Sequence, residues 1–311
     1  HSLLNNDHNM LHGGKQHLDA RNLAGTRLPD DPSVPARSFP GLVLFGQNLN
    51  GWDTPSTQDL IRLVRLVAKK YNVDPNRIYI HGLSNGGIAT YHAIKRAPWL
   101  FAAALPMSAP SDAGIISAGL QSTVAHIPMW MFQGGQDVAP TPSRTEGYVR
   151  KFREAGAEVR YSLYENLGHG TWNTAYGEPD FFSWIRSKSK TQIHVFYGNT
   201  SICGSGVKMG LAAGFLAYQW EKDGVIISGA TGNEYTATQP GVYRARFSRV
   251  SRTPGSSQWE KWSQAVTITG NGSGKANIIP LTTTHLRGPD DGTHNTIRLK
   301  SATKSDKYFW Y

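Results

Sequence analysis

The sequence predicts two architectures in series: a parallel α/β unit over residues 1–190 and all-β sandwich material after it. Three observations carry this. Short apolar runs alternate with amphipathic segments from Gly41 to about Ser187. Helical periodicity then stops at the polar run Ser187 to Gln192 (SKSKTQ), read as a linker. Beyond it, short alternating strands and glycine-rich turns take over.

In the first unit the expected strands are Gly41 to Phe45, Arg77 to His81, Phe101 to Pro106, Pro128 to Phe132 and Arg160 to Tyr164. Each is a continuous apolar or β-branched run, as a strand covered on both faces requires. Helices are expected between them. Thr57 to Tyr71 sets Leu60, Ile61, Leu63, Leu66 and Val67 on one stripe, and Ser143 to Ala155 and Phe181 to Ser187 follow the same pattern. In the second unit, Tyr218 and Trp220, a turn at Lys222 to Gly224, the run Val225 to Ile227 and the segment Gly241 to Ala245 resemble an Ig-like sandwich. Val207, Met209, Tyr218 and Trp220 match Ile297, Leu299, Tyr308 and Trp310 at an offset of 90 residues. The expected division is therefore 1–190, a sandwich at 191–272, and a second, truncated repeat at 273–311.

Composition narrows the classes. Hydrophobic residues make up 39% of the chain, yet no apolar run reaches the roughly 20 residues of a membrane span. The formal charge is +10, spread as 19 basic and 15 acidic residues up to Lys190 and 13 and 7 after it. Without a basic block there is no nucleic-acid footprint. A single cysteine, Cys203, excludes an intrachain disulfide and argues against a thiolate metal site; neither metal nor organic cofactor is expected.

The chemistry centres on Gly82-Leu83-Ser84-Asn85-Gly86, a G-x-S-x-G sequence lying between the expected strand at Arg77 to His81 and a helix over Gly87 to Ala97. Strand, sharp turn and helix are the setting of a nucleophile elbow in an α/β hydrolase, with Ser84 as nucleophile and the amide of Asn85 as an oxyanion donor. A serine needs a base and an orienting acid, in the chain order Ser, acid, His. Of His92, His126 and His169, only His169 follows a strand end after the acid position. Asp137, after the glycine turn Phe132 to Gln136, is the preferred acid. Asp112 is the alternative, and otherwise caps a helix from Ala113 onward.

Residues 1 to about 187 resemble secreted bacterial α/β hydrolases of the predicted-peptidase, polyhydroxybutyrate-depolymerase-like and feruloyl-esterase-like group. The resemblance rests on Asp74 to Ile78 leading into Gly82 to Gly87, on Trp130 to Asp137, and on Gly168 to Asn173. It implies Ser84, Asp137 and His169 as a triad, Gln47 and Trp172 near the mouth of the site, and a secreted or cell-surface location. The group's Phe-His-Gly turn reads Phe132-Gln133-Gly134 here. Residues 1–10 are too polar for the group's strand that precedes the second oxyanion loop, and Leu11 to Gly14 only mimics its His-Gly motif. The α/β unit is therefore expected to be N-terminally incomplete, without the central strand between those at Gly41 and Arg77.

These readings point to a serine hydrolase acting on carboxylic esters, free or polymeric, through an acyl-enzyme. A serine peptidase on the same scaffold is the nearest alternative. A non-catalytic adhesion or carbohydrate-binding protein with a degenerate hydrolase unit is the more distant one.

Overall fold

The computed structural model describes residues 41–46, 52, 54–110, 119–202, 204–270, 278–280 and 299–301. Its first half is built on four strands, β1 (Tyr79–Leu83), β2 (Ala103–Met107), β3 (Met129–Gly134) and β4 (Val159–Tyr164), in the spatial order β1-β2-β3-β4. All three pairings are parallel, with Leu83 opposite Met107, Met107 opposite Phe132, and Gly134 opposite Tyr164. Their carboxyl ends therefore lie along one edge.

The continuous apolar runs now have their reason. Ala104, Met129, Met131 and Tyr161 point into one core with Tyr91 and Ile94 of α2 (Asn85–Arg96) and Val149 and Phe152 of α4 (Pro142–Glu154). Their neighbours Ala103, Leu105, Met107, Trp130 and Phe132 point the other way, against Tyr176 of α5 (Trp172–Gly177) and Phe181 and Ile185 of α6 (Phe181–Arg186). The side-chain period of two thus fills both faces with apolar groups, giving a three-layer unit. Helix α1 (Thr54–Lys70) packs beside α2, and α3 (Leu120–Val124) closes the first core. One expectation is corrected. Gly41 to Phe45 is not a strand; a run of apolar residues becomes one only when a neighbour supplies hydrogen bonds, and residues 41–46 pair with no described strand. The other strands sit one or two residues from their expected bounds.

The second half holds two antiparallel sheets. One runs β5 (His194–Val195), β6 (Val207–Gly210), β9 (Glu234–Ala237); the other runs β11 (Val266–Ile268), β10 (Gly241–Ser248), β7 (Ala217–Lys222), β8 (Val225–Ile226). Val207 and Met209 of the first and Trp220, Tyr243 and Phe247 of the second share one core. A further antiparallel pair, β12 (Ile278–Pro280) with β13 (Leu299–Ser301), lies within the expected second repeat. Tyr308 and Trp310 of that repeat lie outside the described residues, as do Cys203 and Asp112.

The run Ser187 to Gln192 is held against the α/β unit at Lys190. Lys190 is buried, and its ammonium donates to the carbonyls of Trp99 and Leu100 at 3.0 and 2.7 Å. Phe196, just past β5, inserts into the core of the α/β unit, where Gly156 at φ +84° leaves room for it; a Cβ there would stand 2.9 Å from the ring. Arg249, Asn76 and Glu260 join the two halves by side-chain hydrogen bonds.

Candidate active site

Three loops at the carboxyl ends of β1, β3 and β4 form the site. After β1 the chain turns so sharply that Ser84 takes φ 56° and ψ −120°, a backbone conformation costly for a side-chain-bearing residue. Its amide donates to Met107 O at 3.0 Å, and its carbonyl accepts the first helical bonds of α2 from Gly87 and Ile88. The glycines divide their tasks. A Cβ on Gly82 would lie 2.0 Å from Gly86 O, and one on Gly87 would lie 2.4 Å from the Cβ of Ala109, so both must be bare. A Cβ on Gly86 would meet nothing within 4 Å. The close approach therefore depends on Gly82 and Gly87, and the second glycine of G-x-S-x-G is not required for space.

The loops after β3 and β4 meet backbone to backbone. Gly135 N donates to Tyr164 O at 2.8 Å and Gln136 N to Leu167 O at 2.9 Å. A Cβ on Gly134 would stand 2.0 Å from Gly168 O, so this contact exists only because the residue has none. The consequence is that Asp137 and His169, 32 residues apart in sequence, are set against each other. Asp137 is buried; its Oδ1 accepts from Ala139 N at 2.9 Å, and its Oδ2 lies 2.8 Å from His169 Nδ1. The other ring nitrogen, Nε2, lies 2.9 Å from Ser84 Oγ. The imidazole side chain is 38% exposed and that of Asp137 2%, so the hydrogen-bonded chain opens to solvent at His169 and is closed at Asp137.

The His169 loop has its own anchors. Thr171 is fully buried, its amide donates to His169 O at 3.0 Å, and its hydroxyl lies 2.8 Å from that of Ser108, itself buried at φ 40° directly after β2. Trp172 stands edge-on to the His169 ring with centroids 6.2 Å apart. Below the elbow, Tyr176 OH lies 2.8 Å from His81 Nδ1, and burial drives the His81 ring down to about 4, so it is neutral.

The structure thus brings together Ser84, Asp137 and His169, with Trp172 beside the imidazole. Asn85 is the first residue of α2, where a backbone amide has no intrahelical acceptor. Gln47, Asp112 and Leu11 to Gly14 lie outside the described residues. His126 is remote, its Nε2 3.3 Å from Pro98 O. Sequence reading missed Ser108, Thr171 and His81 and saw Gln133 only as a departure from the group's turn, because polar side chains inside or beside strands announce no role until their partners from other elements are known. Among the described residues no group of three His, Cys, Asp or Glu could hold a metal, and no helix is long and apolar enough to cross a membrane.

Residues 46–115 match the model of the prolyl oligopeptidase family. A bifunctional acetylxylan esterase/xylanase from Neocallimastix patriciarum is 29% identical over 112 residues, 35% of this chain and 16% of that protein. The chain therefore spans less than a fifth of the length of this relative. Among solved structures, a thermostable esterase is similar at 31% identity over 45% of this chain and 41% of that one, with a TM-score of 0.41. An acylaminoacyl peptidase from Pyrococcus horikoshii is similar at 18% identity over 43% of this chain and 28% of that one, with a TM-score of 0.34. The matches are to serine hydrolases of esterase and peptidase type, and the parallel sheet with its elbow is of the α/β-hydrolase kind.

Proposed function

We propose that this chain hydrolyses carboxylic esters through an acyl-enzyme, with Ser84 as nucleophile, His169 as base and Asp137 as the acid that orients it. The observation that carries this reading is the unbroken relay from Asp137 Oδ2 through both nitrogens of His169 to Ser84 Oγ, at 2.8 and 2.9 Å. His169 Nε2 takes the hydroxyl proton as Oγ attacks the ester carbon. Asp137 accepts from Nδ1 and stabilises the imidazolium that forms. The oxyanion is met by the Asn85 amide at the positive end of the 12-residue helix α2. Collapse expels the alcohol with the proton from Nε2. Water, activated by the same ring, then frees the acid and regenerates Ser84.

Esters are preferred because an alkoxide leaves with less assistance than an amine, and acetylxylan appears in the name of the similar protein from Neocallimastix patriciarum. A plant-polymer ester is the corresponding substrate class. The matched family model favours a second reading, a peptidase acting through the same relay.

The β-rich half reads as Ig-like. A three-strand and a four-strand sheet enclose Trp220, and Tyr243 OH donates back to Gln239 O at 2.8 Å, in the manner of a tyrosine corner. Secretion and tethering to an insoluble substrate belong to the same proposal.

Turnover of p-nitrophenyl acetate against aminoacyl anilides separates esterase from peptidase. A fluorophosphonate should label the wild type and fail to label Ser84→Ala. Labelling that survives in Ser84→Ala, or a well-folded protein that is never labelled, would sink the mechanism; the second result would favour a degenerate, non-catalytic unit.

A further inference from the structure

Gln133 is the penultimate residue of β3 before the Asp137 loop, and its side chain is wholly buried. A buried primary amide must find partners for two donors and an acceptor, and this one finds all three. Nε2 donates to Gly134 O at 3.0 Å and to Pro140 O at 2.9 Å, while Oε1 accepts from Thr145 Oγ1 at 2.7 Å. The two carbonyls can only accept, so they fix which end of the amide is nitrogen. Gly134 and Pro140 are the two shoulders of the loop that presents Asp137, and Thr145 lies in the first turn of α4, to which that loop leads.

We infer that Gln133 is a positioning residue for the orienting acid: its amide clasps both ends of the loop and fixes where Asp137 Oδ2 meets His169. This rests on the esterase reading above. The loop needs such a clasp for a physical reason. It carries no regular secondary structure between β3 and α4, and its buried carbonyl at 140 turns inward, where without the Gln133 amide it would be an acceptor short of a donor. Its other restraints, Gly135 N to Tyr164 O, Gln136 N to Leu167 O, Asp137 N to Gly134 O at 3.2 Å and Ala139 N to Asp137 Oδ1, hold the near shoulder and the middle of the loop and leave its far shoulder, Pro140 O, to Gln133.

The test is a double-mutant cycle on kcat for p-nitrophenyl acetate, with KM followed separately. It begins from a wild type whose turnover is lost in Ser84→Ala; turnover that persists in Ser84→Ala removes the esterase reading and this inference with it. Given that Ser84 dependence, Gln133→Met should lower kcat about 10- to 100-fold with KM within about twofold, because a slack orienting group affects the transition state and not ground-state binding. In an Asp137→Ala background the same substitution should change kcat by less than about twofold, since there is no carboxylate left to position. If Gln133→Met does not fold, Thr145→Val decides. It keeps both donors and releases only Oε1, and should give a smaller kcat loss, about 3- to 10-fold, that also vanishes in Asp137→Ala. A kcat unchanged in Ser84-dependent enzyme, or an equal loss in both backgrounds, would leave Gln133 a packing residue only and overturn the inference while the esterase reading stands.

Discussion

The edge above β1–β4 and the sandwich behind it solve opposite problems. At the edge, backbone meets backbone at separations that exclude even a methyl group, polar side chains are buried and fully bonded, and Ser84 is held at φ 56°. In the sandwich, the centre is apolar, Trp220 against Tyr235 and Tyr243 against Tyr235, and the polar tips of Trp220 and Tyr243 end on backbone carbonyls. Geometry is fixed by contact in the first region and stability comes from area in the second. Substitutions at the edge should therefore change turnover more than melting temperature, and substitutions in the sandwich the reverse.

The largest effect that would sharpen this contrast is that of acid. Burial lowers three histidines from 6.5 to about 4: His81 beneath the elbow, and His126 and His194 in the α/β unit's core and at its junction with β5. Each is neutral when folded. Below 6.5 the unfolded chain binds protons that the folded chain refuses, so stability is full above 6.5 and is lost as pH falls to about 4. The summed loss should be several kcal/mol, read by denaturant titration at pH 7, 5.5 and 4. Lys190, lowered to about 7, has the same sign in another window: its burial penalty is fully present below about 7 and is relieved as pH rises towards 10.5. A stability unchanged between pH 7 and 4 would contradict burial of the neutral rings.

Trp220→Ala should come next. The side chain is fully buried, and its removal should lower stability by about 3–5 kcal/mol. The kcat of the protein that remains folded should be unchanged. A parallel loss of kcat would show that the sandwich shapes the site through Phe196 and Lys190, and the division of labour would fail.

Gly134→Ala inverts the pattern. Its methyl would lie 2.0 Å from Gly168 O, so the acid and histidine loops must part. A displacement of about 1 Å at the relay corresponds to roughly a hundredfold loss in kcat. Melting should fall by less than in Trp220→Ala, because the contact is local.

How much of this was legible in the sequence follows from what each element depends on. β2 and β3 could be read directly, since their residues are apolar on both faces and need no knowledge of a partner. Gly41 to Phe45 has the same composition and is not a strand, because pairing is a property of two segments. That Ser84, Asp137 and His169 would lie together could be expected because loop position and chain order constrain them, and the structure sets them within hydrogen-bonding distance. The contacts of Gln133 could not be expected, although it was visible as a departure: its two carbonyl acceptors are main-chain groups, which leave no trace in the sequence. The burial of Lys190 within the linker Ser187 to Gln192 was not legible, because lysine and serine suggest solvent, whereas the carbonyls of Trp99 and Leu100 that hold its ammonium are main-chain groups of a turn ninety residues earlier.

The smallest effect is the most discriminating. Gly86 belongs to the G-x-S-x-G sequence, and a reading based on the motif alone predicts that any side chain there disables the elbow. The structure gives it open space, a place in the first turn of α2 and no left-handed backbone angle. Gly86→Ala should thus keep kcat within about threefold and raise stability by up to about 1 kcal/mol, since alanine is the better helix residue. Gly82→Ala, four residues earlier, should abolish turnover, as its methyl would drive against Gly86 O. Equal damage from the two would mean that the glycine at 86 serves the approach of substrate to Ser84 and not the turn, and the edge would then be shaped by its ligand as much as by its own backbone.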